Sequence, residues 1–133
     1  MIDFSSKVAN IRSIYRRQRL VDLRAIRPLM NDLSAVIESR PDADFRGQFR
    51  LLINDLPMLK SNSDVIGIIH ILDFCMRRFK WSEIESALKE IYPSIASPDT
   101  KLEVERLIKN IYDPKWDQGQ FEFLIPDDNI WEL

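Results

Sequence analysis

Phe4, Val8, Ile11 and Tyr15 recur at steps of four, three and four, the spacing that lines apolar side chains along one side of an α-helix. The pattern predicts a first helix over residues 5–19, with Arg12, Arg16 and Arg19 on its opposite side. The same phase continues through Leu20, Leu23 and Ile26 to Pro28, where a fixed ring and a missing N–H predict a kink or a fresh start. Leu29, Met30, Leu33, Val36 and Ile37 mark the next helix, closed by Ser39, Arg40 and Pro41. Asp42 or Asp44 is placed to cap a third, because a short carboxylate takes up the orphan amides of a first turn. Phe45, Phe49, Leu52 and Leu56 form its expected core side, up to Pro57.

Residues 64–79 are the most apolar stretch of the chain. Val65, Ile68, Ile69, Ile71, Leu72, Cys75, Met76 and Phe79 cover more than one face, as a helix surrounded by others requires. This segment is the expected centre of the fold. Ser82 followed by Glu85 has the form of a capping box and opens a helix that ends at Tyr92, before Pro93. Ser97 and Pro98 repeat the start signal, and that helix runs to Tyr112. Residues 83–92 and 103–112 match at five of ten positions with an offset of 20. That offset is too short for a helical-hairpin repeat, so the likeness reads as coincidence between amphipathic helices.

Beyond Pro114 the period changes. Phe121, Phe123 and Ile125 alternate with Gln120, Glu122 and Leu124, which predicts a short strand or an extended strap. With 133 residues, 45% of them hydrophobic, the chain suffices for one core without a metal or disulfide. The expected fold is all-α: a single irregular bundle of about six helices over residues 1–112, with an extended C-terminal tail over 113–133 packed on or extending from the same domain.

Composition removes much chemistry. A single Cys75 excludes a disulfide within the chain and a Cys-rich zinc cluster, a single His70 excludes paired-His metal motifs, and three glycines leave no room for a phosphate-cradling loop. His70 is expected to be satisfied by Asp73 or a backbone carbonyl, and Cys75 lies about 140° away around the helix, so the two do not pair. Glu83 with Glu85 and Glu103 with Glu105 stand near helix starts, where the macrodipole favours acids. Asp127 and Asp128 lack the ligand series a hard cation demands. No catalytic residue, metal ligand or cofactor is therefore expected. No apolar run approaches the ~18 residues of a membrane span, and a lone thiol suits a reducing compartment, so the expected location is cytoplasmic, with no membrane partner.

The net charge of −2 argues against a general nucleic-acid binder, but the charge is unevenly placed. Residues 1–60 carry +4 and residues 61–133 carry −6, of which −5 falls within 113–133. That acidic segment is interleaved with Trp116, Phe121, Phe123 and Trp131. It reads either as a strap over the core or as a landing surface for a basic protein, held by aromatic anchors and steered by charge. At the other end Arg12, Arg16, Arg17, Arg19, Arg24 and Arg27 face only Asp22. Arg12, Arg16, Arg17 and Arg19 form an alternative nucleic-acid interface by phosphate contact. Pairing of the same arginines with acids of the C-terminal half competes with it.

In its size, its lack of catalytic motifs, and the residues Trp116, Asp117, Glu122, Asp127, Asp128, Trp131 and Glu132, the chain resembles the small immunity proteins that neutralise bacterial toxins. The resemblance implies a non-catalytic antitoxin whose tail covers a basic toxin domain, such as a nuclease, where substrate phosphates otherwise bind. A nucleic-acid-binding helical module and a structural, homo-oligomeric subunit are the alternatives. The sequence leaves monomer and homodimer equally open.

Overall fold

A computed structural model describes residues 4–18 and 21–112. They form α1 (Phe4–Arg17), α2 (Leu23–Ser39), α3 (Phe45–Asp55), α4 (Asn62–Phe79), α5 (Ser82–Ile91) and α6 (Pro98–Ile111). Short 3₁₀ turns at Leu56–Met58 and Tyr92–Ser94 follow α3 and α5, where Pro57 and Pro93 each occupy the start of a turn that cannot continue as an α-helix. The expected all-α bundle is present. The strand or strap expected near residues 121–125, with the rest of 113–133, lies outside the described residues.

α4 is the centre, as its all-round hydrophobicity requires. It packs against α1, α6, α2 and α3, while α5 packs on α3 and α2 on α1. Val65, Ile68, Ile69, Ile71, Leu72, Phe74, Cys75 and Met76 are buried along it. Gly67 sets the approach of α1: a β-carbon there would stand 3.4 Å from Tyr15, so the tyrosine lies directly on the α4 backbone. One continuous hydrophobic cluster joins all six helices. Around its aromatic end Phe4 meets Phe45 and Phe49 at 5.2 and 5.1 Å, and Phe49 meets Trp81 edge-on at 5.8 Å. Trp81 is stacked on Phe79 at 5.1 Å, and the Arg46 guanidinium lies 4.8 Å above its ring.

Several boundaries differ from the sequence expectation for identifiable reasons. Pro28 does not divide two helices. α2 begins at Leu23, where the Asp22 carboxylate accepts from the Arg24 N–H at 2.9 Å, and it runs through Pro28 to Ser39. Arg24 and Pro28 are both exposed, so water can serve the Arg24 carbonyl that proline deprives of a partner. Of the two candidate caps for α3, Asp44 is the one used, accepting from the Gly47 N–H at 2.9 Å. A β-carbon at Gly47 would collide with that carboxylate. Ile53 is buried on α3 while Leu52 is half-buried, a small rotation of the expected core side.

The capping box expected at Ser82 and Glu85 is not formed. The cap position of α5 is Trp81, with no side-chain cap bond, and Ser82 is already inside the first turn. Glu85 instead pairs with Lys89 at 3.1 Å. Trp81 holds the corner through its ring contacts, which displaces the start by one residue. At α6 the sequence signal holds: Ser97 Oγ accepts from the Thr100 N–H at 3.3 Å, with Pro98 next in the chain. Ser97→Ala is therefore expected to cost about 1 kcal/mol, whereas Ser82→Ala stays within about 0.5 kcal/mol, compared by urea denaturation.

The likeness of α5 and α6 is a shared core-facing register. Ile84 and Val104 are both buried, as are Leu88 and Ile108, but α5 packs on α3 and α6 on α4. Their terminal tyrosines do different things. Tyr92 donates to Glu105 Oε2 at 2.9 Å, and Tyr112 donates to the Trp81 carbonyl at 2.9 Å.

Candidate functional site between α4 and α6

Ile66, Ile69, His70, Asp73 and Arg77 recur at helical spacing on one side of α4, opposite Glu103, Arg106, Leu107 and Asn110 on α6, and the two rows enclose a cleft of about 230 Å³. Its polar groups are organised as ion pairs. Arg77 Nε donates to Asp73 Oδ1 at 3.1 Å, four residues back on the same helix, and Arg106 Nη1 donates to Glu103 Oε1 at 2.9 Å. Asp73 is buried, and burying a carboxylate is tolerable only where cations and hydrogen bonds compensate it. Burial pushes the Glu103 carboxyl above its usual range; Arg106 opposes the shift, and Asp99 and Asp73 add to it.

His70 forms the wall between this cleft and a second one of about 260 Å³ on the α1 side, which Tyr15, Gln18, Val21 and Leu23 border. The Tyr15 hydroxyl and His70 Nδ1 are hydrogen-bonded at 2.6 Å, with the rings edge-to-face at 5.3 Å. Sequence spacing offered Asp73 or a carbonyl as partners for His70. The tyrosine, 55 residues away, has no local signal and reaches the imidazole because Gly67 lets α1 sit close. Burial lowers the His70 pKa to about 4 against the opposing pull of Asp73, and the same burial, with Asp73, raises that of Tyr15. Both side chains are thus neutral at neutral pH. Cys75 is buried on a different side of α4, its thiol pushed up to about 12 by burial, with Ser34 and Arg78 acting in the other direction.

The residues singled out from the sequence are scattered or undescribed. Trp116, Asp117, Glu122, Asp127, Asp128, Trp131 and Glu132 lie outside the described residues, as does Arg19. Arg16 forms an ion pair with Asp64 on α4, an acid of the C-terminal half. Arg12 is half-buried beside α3, its Nε shielded from solvent without an acceptor. Arg17 is exposed. Glu83 pairs with Arg46 at 2.5 Å, and Glu105, expected at a helix start, is instead a buried acceptor for Tyr92.

Among the described residues no group of three His, Cys, Asp or Glu side chains is placed to hold a metal ion. Among them, too, no helix is long and apolar enough to cross a membrane. Comparison with known proteins finds no matching family model, no similar curated protein and no similar solved structure.

Proposed function

We propose that the chain is a non-catalytic protein-binding protein that captures and blocks a basic partner, in the manner of a toxin-neutralising immunity protein. The observation that supports this reading is a separation of charge at the end of α6: residues 1–112 carry +3, and residues 113–133 carry −5 together with Trp116 and Trp131. Within the folded body, acids and bases are matched across helices, Arg16 with Asp64 and Arg46 with Glu83, and along them, Arg77 with Asp73 and Arg106 with Glu103. The surplus negative charge belongs to the terminal segment. Carboxylates concentrated there steer a cationic surface into contact, while indoles supply the large, rotamer-poor anchors that dominate interface energies. A basic nuclease active site, built to attract phosphates, is the surface such a segment would cover, its carboxylates standing in for the phosphates.

The test is association kinetics between the full chain and the partner it captures. Asp127→Lys with Asp128→Lys is expected to slow association about tenfold at low ionic strength and to flatten its dependence on salt. Unchanged kinetics would remove the acidic segment from the interface. Saturable binding to duplex or single-stranded nucleic acid with a steep salt slope would replace this reading with the arginine-based one.

A further inference from the structure

α1 and α3 leave a groove between them. They touch through Phe4, which meets Phe45 and Phe49, but α1 has its main packing on α4 and α2, and α3 on α5. The groove has a volume of about 260 Å³, with buried Phe4 and Val8 and half-buried Leu52 beneath it and Arg12, Gln48 and Leu51 along its edges. Leu51 is 66% exposed, and an exposed leucine continuous with other apolar surface marks a place where something docks. The surroundings are cationic. α1 carries Lys7, Arg12, Arg16 and Arg17 and no acid, and α3 carries Arg46 and Arg50 against Asp55. Arg16 and Arg46 are spent on Asp64 and Glu83, whereas Arg12 and Arg50 form no ion pair among the described residues.

We propose that the chain's own terminal segment, residues 113–133, docks in this groove, with Phe121, Phe123 and Ile125 seated against Phe4, Val8, Leu51 and Leu52. Charge, pattern and reach single out this occupant. The segment carries −5, complementary to a face that holds unpaired cations. Phe121, Phe123 and Ile125 alternate with Gln120, Glu122 and Leu124, so an extended chain puts the three on one side, as a narrow apolar groove requires. The Tyr112 hydroxyl bonds to the Trp81 carbonyl, the Trp81 ring lies 5.8 Å from Phe49, and Phe49 lies 5.1 Å from Phe4. These contacts put the end of α6 within about 25 Å of the groove, and residues 113–120 span up to about 28 Å when extended. A second copy docked through the same face would set cation against cation across a two-fold axis. A hollow of about 250 Å³ nearer the end of α6, beside Trp81, is edged by Glu38, and its Arg46 is already paired with Glu83. The contact is made within one chain and needs no partner, so it stands or falls apart from the protein-binding role.

The experiment places a nitroxide on Asn54→Cys, an exposed position of α3 outside the groove lining, in the full chain; Cys75 is buried and so protected from the label. The amide signals of Phe121, Phe123 and Ile125 are expected to lose most of their intensity relative to the reduced nitroxide. Phe121→Ser with Phe123→Ser should restore the Ile125 signal, a change confined to the segment that leaves the folded body intact. Leu51→Asp should restore all three signals from the other side of the contact. In a mixture of nitroxide-bearing chains with isotope-labelled chains that carry no nitroxide, the labelled signals should keep their intensity. The proposal is overturned if the segment's signals are not weakened in the first sample, if the weakening survives both variants, or if it passes between chains in the mixture, which would make a second copy the occupant.

Discussion

Phe49→Ala is expected to lower the free energy of unfolding by about 3–5 kcal/mol, a large fraction of the 5–15 kcal/mol typical of a folded domain. Phe49 is fully buried, and the groups around it are poorly placed to collapse into the space it would leave. Phe4 is held from its other side by Phe45, and Trp81 is fixed by its stack on Phe79 and by Arg46, which is tied in turn to Glu83. A cavity that cannot close adds its own cost to the lost transfer energy. Urea denaturation read by circular dichroism provides the measurement. Leu51→Ala, two residues along the same helix but 66% exposed, should change stability by no more than about 0.5 kcal/mol. Equal effects at the two positions would mean that the aromatic end of the core is not closed as described.

A second large effect is expected from acid. The imidazole of His70 titrates near 6.5 in the unfolded chain and at about 4 in the folded one. Between those values the unfolded chain holds a proton that the folded chain refuses, so stability falls as pH drops through this window and is unaffected by the group above it. The full difference amounts to about 3 kcal/mol. Tyr15 from α1 and Asp73 from α4 face the ring, with Glu103 across the cleft on α6. His70→Gln isolates the imidazole: the difference between its stability profile and that of the natural chain is expected to appear between about pH 6.5 and 4. A His70 ring signal that titrates near 6.5 in the folded protein would overturn this expectation.

The helices were legible because burial imposes a period. Phe4, Val8, Ile11 and Tyr15 announce the inner face of α1, and the unbroken apolar character of residues 64–79 announces a helix enclosed by others. What escaped was information that depends on a second element. Pro28 reads as a boundary by its own stereochemistry, yet the helix starts before it because Asp22 caps there and the proline faces water. Ser82 and Glu85 have the right spacing for a box, but Trp81 takes the cap position through contacts with Phe49, Phe79 and Arg46, none adjacent to it in the chain. The cleft was only half visible. His70, Asp73 and Arg77 form a polar stripe at helical spacing within the most hydrophobic segment, a signal overshadowed by its apolar neighbours. Glu103, Arg106 and Asn110 form the matching stripe, and nothing local shows that the two rows face each other.

The contact between Tyr15 and His70 also bears on how the chain assembles as it is synthesised. The 55 residues separating them place the main docking surface for α1 in a segment that leaves the ribosome long after α1 itself. Until α4 emerges, Phe4, Val8, Ile11 and Tyr15 have only α2 and α3 to cover them, and the nascent chain displays a greasy seam suited to chaperone capture. Closure of that seam costs the loop entropy of a long-range contact, and it makes the arrival of α4 the event on which productive folding turns.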